Sequence, residues 1–242
     1  MPSAAIVVIG NEILSGKFHD ENAPWLVRRF RELGVDLQRI ATIPDTCEAI
    51  AREVRQVSAE HDHVVTSGGV GPTHDDVTYA GIAAGLGVPL ARDPALEAIL
   101  RARMGDSVND AALRMCEVPA GAELLHGDGL RWPVVLARNV LVLPGVPAMF
   151  RARFDAVAGR YAGSPVHSER LVTHASETRI AATLSDAAAR WPQVAIGSYP
   201  RFEVEPHVVI VTLESRDVRA LADCHAWLGE RVPGASNVQA PG

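Results

Sequence analysis

Residues 63–78 read HVVTSGGVGPTHDDVT. A short β-branched run enters three glycines within four residues, and these are followed by a proline and two adjacent carboxylates. The run has the composition of a buried strand, and a helical pattern follows over residues 77–87, so the loop lies at the carboxyl end of a strand. In an open α/β sheet that edge is where ligands bind. Gly68, Gly69 and Gly71 permit positive φ and let backbone N–H groups come close to an anion. The helix beginning near Asp76 to Thr78 aims its positive end at the same point. Phosphate is the guest such a loop suits. The G-x-x-x-x-G-K-[ST] lysine and the G-x-G-x-x-G pattern are both absent, which sets aside the Walker and dinucleotide-fingerprint readings. Asp75 and Asp76 are hard oxygen donors suited to a divalent cation that bridges to phosphate. A plain turn in which one of them caps the helix accounts for the same residues.

Upstream, AAIVVIG (4–10) is a continuous apolar run ending in glycine, the pattern of a strand buried on both faces. A polar turn, NEILSGKFHDEN (11–22), follows, with Asn22 read as the cap of a helix whose Leu26, Phe30 and Leu33 share one face and whose stop is Gly34. Asn11, Glu12, Ser15, Asp20 and Asn22 in that turn are expected to reach the same sheet edge as the glycine loop. VDLQRIATI (35–43) is the second strand. Asp45 and Glu48 have capping-box spacing at the start of the next helix, and Asp45 also sits at a strand end where it can face a ligand. Downstream, AELLHG (122–127), PVVLARN (133–139) and VLVLPG (140–145) read as strands, with further helices over 95–104 and 109–115. Pro144, Gly145 and Pro147 stiffen the loop after the last strand. Strands alternating with helices predict a three-layer α/β/α domain on a mainly parallel sheet, over residues 1–165.

The pattern changes after residue 165. Residues 166–235 read strand, helix, strand, strand, helix, a small α+β domain with an antiparallel pair, and the tail 236–242 is expected to fray. The whole chain has 242 residues, 48% of them apolar, with 23 basic against 29 acidic residues and a net charge of -6. That balance argues against nucleic acid or an anionic membrane as partner. Cys47, Cys116 and Cys224 are widely spaced, so neither a disulfide framework nor a zinc site is predicted, and a reducing cytoplasm is the expected setting. No apolar stretch reaches the roughly 20 residues that span a bilayer.

GGVGPTHDDVT closely resembles the GG-x-G-P-T-x-D-D-x-T signature of the molybdopterin-binding-like domain of molybdenum cofactor biosynthesis proteins. The same domain occurs in the competence/damage-inducible protein A family and in the pyrophosphatase-like part of eukaryotic FAD synthetase. IGNEILSGKFHDENAPWLVRRFRELGVDL, TIPD, NDAALRMCEVPAGAELL, LPGVP, SETRIAATL and GSYP follow the same family in order. The resemblance places Gly68, Gly69, Gly71, Thr73, Asp75 and Asp76 at the ligand site, with Asp45 and Glu12 beside it; Pro72, Thr78, Asn11, Ser15, Pro144 and Gly145 are expected, from their places in the same loops, to add contacts to substrate or phosphate. It makes the Asp45 and Asp76 carboxylates the functional pair. It also likens the second domain to a small KH-like unit.

What it implies is metal-dependent hydrolysis (Mg, Mn or Co) of a nucleotide diphosphate such as ADP-ribose or FAD. Asp75 and Asp76 would hold the ion, and Asp45 or Glu12 would position or deprotonate water. Binding of molybdopterin is the alternative implied. A homo-oligomer, dimer or trimer, is expected as well. LRWPVVLARN (130–139) and Met149 stand where many bacterial members have G-T-A-P-G and a glutamate, which puts the chain nearer the FAD-synthetase-like branch.

Overall fold

A computed structural model of the chain describes residues 2–161, 163–203 and 206–237. It divides into two compact units, Met1–Gly163 and Ser164–Gly242.

The first unit is built on β1 (Ser3–Ile9), β2 (Asp36–Ile43), β3 (His63–Ser67), β6 (Glu123–Leu125), β7 (Val134–Ala137) and β8 (Val140–Leu143). These form one sheet in the order β2-β1-β3-β8-β7-β6. β1 pairs in parallel with β2 and β3, and β3 with β8. β8, β7 and β6 run antiparallel, so the mainly parallel expectation holds at the centre and gives way to a meander at one edge. The two-residue step Arg138 and Asn139 explains this: parallel strands need a long crossover, whereas two residues close a hairpin. Arg138 accordingly has φ 54°.

Both faces of the sheet are covered. Alternate side chains of β1 go to opposite cores: Ala5, Val7 and Ile9 join one, and Ala4, Ile6 and Val8 the other. On the first face lie α3 (Cys47–Glu60), α4 (Thr78–Leu86), α5 (Pro94–Met104) and α6 (Asp110–Arg114). A two-stranded antiparallel ribbon, β4 (Leu90–Arg92) with β5 (Glu117–Pro119), was not apparent from three-residue runs and ties α5 and α6 together. On the second face, α2 (Asn22–Leu33) and α7 (Pro147–Val157) bring Phe30, Phe150 and Phe154 to complete burial. Phe30 meets Phe154 edge-on at 5.6 Å between centroids, a geometry worth about 0.5–1.5 kcal/mol beyond its buried area.

Helix starts differ from the sequence expectation, with local causes. Asn22 does not cap α2; the Asp20 carboxylate does so, accepting from the N–H of Asn22 and Ala23, and Asn22 turns inward. α3 is capped by Thr46, whose hydroxyl accepts from Ala49 N–H, rather than by a box of Asp45 and Glu48. Neither Asp75 nor Asp76 caps α4, which starts at Thr78. The polar turn after β1 opens with a single helical turn, α1 (Asn11–Leu14).

The second unit holds β9 (His167–Thr173), α8 (Glu177–Arg190), β10 (Ala195–Arg201), β11 (Val208–Ser215), α9 (Val218–Arg231) and β12 (Ser236–Asn237). Its sheet, β10-β11-β9-β12, is antiparallel throughout and larger than the expected pair. β11 alternates half-buried and buried residues, and Val209, Val211 and Leu213 enter a core shared with Ile180 and Leu228 of the helices. Of the tail expected to fray, Ser236 and Asn237 pair with β9, and the rest lies outside the described residues.

Close approach of α3 and α4 depends on glycine. A Cβ at Gly81 would lie 2.5 Å from Ile50 Cβ, and one at Gly85 would lie 2.8 Å from the Ala51 carbonyl oxygen. In an open helix Gly→Ala stabilises by about 1 kcal/mol. Here overpacking, typically about 1–3 kcal/mol, reverses that sign. Gly81→Ala is therefore expected to lower the thermal midpoint by several degrees, read by circular dichroism; a rise would show that the two helices separate freely.

Candidate functional site

The sheet order puts β2 on one side of β1 and β3 on the other, so the chain changes direction between β1 and β3. At such a switch point the loops part and leave a crevice at the carboxyl edge of the strands. Four loops meet there: residues 10–21 after β1, 44–46 after β2, 68–77 after β3 and 144–146 after β8.

The glycine loop is shaped by close contacts. Gly68 has φ 110°, and a Cβ on it would sit 2.2 Å from the Ile9 carbonyl oxygen. Gly69 has φ 65°, and its Cβ would strike the Thr78 hydroxyl at 2.4 Å. Thr78 is buried; its hydroxyl donates to Gly68 O at 2.9 Å and its N–H to Gly69 O at 3.1 Å, which fastens the loop to the first turn of α4. Gly71 is needed for a different reason: a Cβ there would lie 2.6 Å from Asp76 Oδ2. The Gly68 N–H is already committed to Leu143 O at 3.1 Å. Among the described residues, the N–H groups of Gly69, Val70 and Gly71 have no acceptor, so these three, rather than Gly68, are free for an anion.

Asp76 Oδ2 accepts from Thr73 N–H at 2.9 Å and also from the Thr73 hydroxyl. Hydrogen bonding from the Thr73 side chain and from the backbone holds the exposed Asp75 carboxyl below the usual carboxylate range. Arg114 of α6 donates to the Pro72 carbonyl at 3.2 Å and braces the loop from above. Across the crevice, the Asn11 carboxamide donates to Asp45 Oδ1. Because Thr46 does the capping, both Asp45 oxygens are spared that duty and the second faces no partner among the described residues. Gly145 lies beside Gly68, its ideal Cβ 3.5 Å from Gly68 Cα, and Pro144 is buried behind it.

Ser15 is not drawn in: its hydroxyl donates to Glu12 O at 3.2 Å and closes α1. Glu12 stands at the mouth of a cavity of about 410 Å³ that also has Ile9, Phe18, Asn22, Ser67 and Gly145 in its wall. Ser67 is the residue sequence reading missed, and Asn22, expected at this sheet edge, turns out to be its buried partner. Asn22 is 3% exposed and its amide donates to Ser67 Oγ and to Gly145 O, both at 2.8 Å, joining the ends of three loops. Its signal in the sequence is a helix-start polar residue, which capping explains equally well.

A divalent cation finds no ready-made cage here. Among the described residues, no group of three or more His, Cys, Asp or Glu stands close enough to hold one. The ionised Asp75 and the unbonded Oδ1 of Asp76 fit an ion that takes most of its ligands from phosphate and water, as magnesium does. No described helix is long and apolar enough to cross a membrane.

Residues 5–162 match the family described as "Probable molybdopterin binding domain", and residues 165–241 match "FAD synthase, middle domain". An Archaeoglobus fulgidus protein is 36% identical over 88% of this chain and 90% of its own length. A Caenorhabditis briggsae protein named "Probable FAD synthase" is 33% identical over 96% of this chain, which spans 50% of it. The crystal structure of CinA from Thermoplasma acidophilum, described as of unknown function, superposes with a TM-score of 0.61 and 27% identity, covering 66% of this chain and 99% of that one. The chain belongs to the molybdopterin-binding domain family, among those members in which the FAD synthase middle domain follows.

Proposed function

We propose that the first unit is a hydrolase for a nucleotide diphosphate of the dinucleotide type, such as ADP-ribose or FAD. The observation that carries this is the glycine loop: three consecutive unpaired N–H groups, Gly69 to Gly71, at the switch point of the sheet, faced by carboxylates held in place by Thr73 and Asn11. The FAD synthase name of a relative that aligns with nearly the whole chain supports the choice of substrate class.

The diphosphate lies on the Gly69, Val70 and Gly71 amides. These fixed dipoles need no reorganisation as charge develops on the phosphoryl oxygens. Asp45, oriented by Asn11, takes a proton from water as the water oxygen bonds to phosphorus. The P–O bond of the anhydride breaks, and its electron pair leaves with the second phosphate. The products are AMP and the other phosphomonoester. Asp75 and Asp76 would hold a Mg, Mn or Co ion, which when bound neutralises phosphate charge and polarises the phosphoryl group. Thr73 orients the Asp76 carboxylate.

Molybdopterin binding is the second reading, favoured by the family that matches residues 5–162. Its phosphate would use the same amides with no hydrolysis. Pterin fluorescence in the purified protein, with no AMP formed from any diphosphate, would replace the first reading with this one. A homo-oligomer, dimer or trimer, belongs to the proposal; light scattering giving the 25.8 kDa mass of a single chain would remove it.

AMP release from ADP-ribose and from FAD, separated by chromatography, tests the reading. Turnover is expected with magnesium, manganese or cobalt and lost with chelator. Asp45→Asn keeps the shape but cannot take a proton, so kcat is expected to fall by about 10²–10⁴ while KM changes little. Asp76→Asn puts an NH₂ group where Oδ1 or Oδ2 now stands, weakening the ion site or the Thr73 clamp, and is expected to raise the metal concentration needed for half-activity at least tenfold. Full activity in both variants would remove the two carboxylates from the mechanism.

A further inference from the structure

We propose that the cavity of about 410 Å³ lined by the loop after β1, the last residue of β3 and the loop after β8 seats the neutral, hydroxyl-bearing nucleoside half of the ligand. The Ser67 hydroxyl and the Asn22 carboxamide oxygen read a sugar hydroxyl there. This inference rests on the diphosphate reading of the glycine loop, of which it is the continuation.

Three observations carry it. Asn22 is 3% exposed, its side chain forms part of the cavity wall, and its Oδ1 has no hydrogen-bond partner. An unpaired buried acceptor costs about 1–3 kcal/mol, which a ligand donor would recover. Ser67 is 2% exposed and accepts from Asn22 Nδ2, which leaves its own hydrogen without an acceptor among the described residues. A free donor thus stands 2.8 Å from the amide of the residue that bears a free acceptor. A hydroxyl group, which both donates and accepts, satisfies the two together; a phosphate oxygen satisfies only Ser67, and an ammonium group only Asn22.

The charge of the wall points the same way. Glu12, Asp20, Glu21 and His19 line the cavity; Glu21 pairs with Arg151 at 3.1 Å, and Glu12 and Asp20 have no ion-pair partner among the described residues, so a second phosphate is disfavoured there while polyol hydroxyls meet acceptors. Val8, Ile9, Ile13 and Pro147 give the wall its apolar part. Phe18, 59% exposed, also lines the cavity, with Lys17 Nζ over its ring at 5.8 Å from the centroid, and would offer an aromatic surface to a planar ring. Gly145 links the two subsites: its carbonyl accepts from Asn22, and it lies against Gly68 of the phosphate loop.

The test uses the intact chain and three separate probes in isothermal titration: adenosine, riboflavin and inorganic pyrophosphate. Wild type is expected to bind at least one of the two nucleosides, and Ser67→Ala to weaken that binding by about tenfold while leaving pyrophosphate affinity within twofold. Ser67→Ala keeps the Asn22 to Gly145 bond, so it is less disruptive than any change at Asn22; Phe18→Ala, at an exposed position, is the second variant and is expected to weaken the nucleoside but not pyrophosphate. Adenine, which lacks hydroxyls, is expected to show no dependence on Ser67. The proposal is overturned if neither nucleoside binds wild type, if both variants bind nucleoside as wild type does, or if adenine shows the same loss as adenosine. Pyrophosphate failing to bind wild type would instead overturn the phosphate reading of the glycine loop, and the nucleoside titrations would still decide whether the cavity is a ligand site.

Discussion

Gly68 stands where three strands end. Its N–H donates to Leu143 at the end of β8, its α-carbon faces the Ile9 carbonyl at the end of β1 with no room for a Cβ, and it is itself the first residue after β3. With φ at 110°, a side chain would be opposed twice over, by the backbone conformation and by a carbonyl oxygen 2.2 Å away. The register of the parallel strands and the path of the glycine loop are therefore one constraint. Shifting the loop means breaking the Leu143 bond or moving β1 against β3, and those strands are buried on both faces. The amides that follow inherit that rigidity, because Thr78 pins Gly68 and Gly69 to the start of α4 from the other side.

Preorganisation extends to the carboxylates by a common device. Each of the two proposed for chemistry is held by a neutral donor from a different position: Asp76 by Thr73 three residues before it, Asp45 by Asn11 from the neighbouring loop. A neutral donor fixes a carboxylate without pairing away its charge, as a lysine or arginine would. Arg114 donates to the Pro72 carbonyl and so braces the backbone of the loop. The result is a negatively charged rim with free amides beside it, an arrangement that favours phosphate arriving together with a cation.

The centre of this fold was legible in the sequence because its signals are local. Apolar runs ending in glycine mark β1 and β3, and a strand, a glycine cluster and a helix in sequence place the loop at a sheet edge. Caps were read less well. Asn22, Asp45 and Asp20 all have residue types that cap helices, and the competition among them is settled by burial and by neighbours, not by type. Asn22 shows why: its partners Ser67 and Gly145 are 45 and 123 residues away, and nothing in the local pattern announces either. The antiparallel β8-β7-β6 edge was hidden for a similar reason, since short apolar strands carry no mark of direction. The two-residue connection between β7 and β8 is the one feature that forces it.

The crevice is electrically lopsided, and that asymmetry bears on which diphosphates suit it. On the glycine-loop side stand unpaired N–H donors; on the side of α1 and the start of α2 stand Glu12 and Asp20, with Glu21 beside them paired to Arg151. Two unit charges about 4 Å apart at an effective dielectric near 20 interact by about 4 kcal/mol. A third phosphate directed toward the carboxylate side would incur a penalty of that order, less whatever solvent screens. A sugar in the same place carries no charge and offers hydrogen-bond donors to an acceptor-rich wall. On the proposed reading the arrangement would discriminate by what lies beyond the diphosphate, favouring a neutral nucleoside over a further phosphate. It would do so without any side chain that touches the scissile bond.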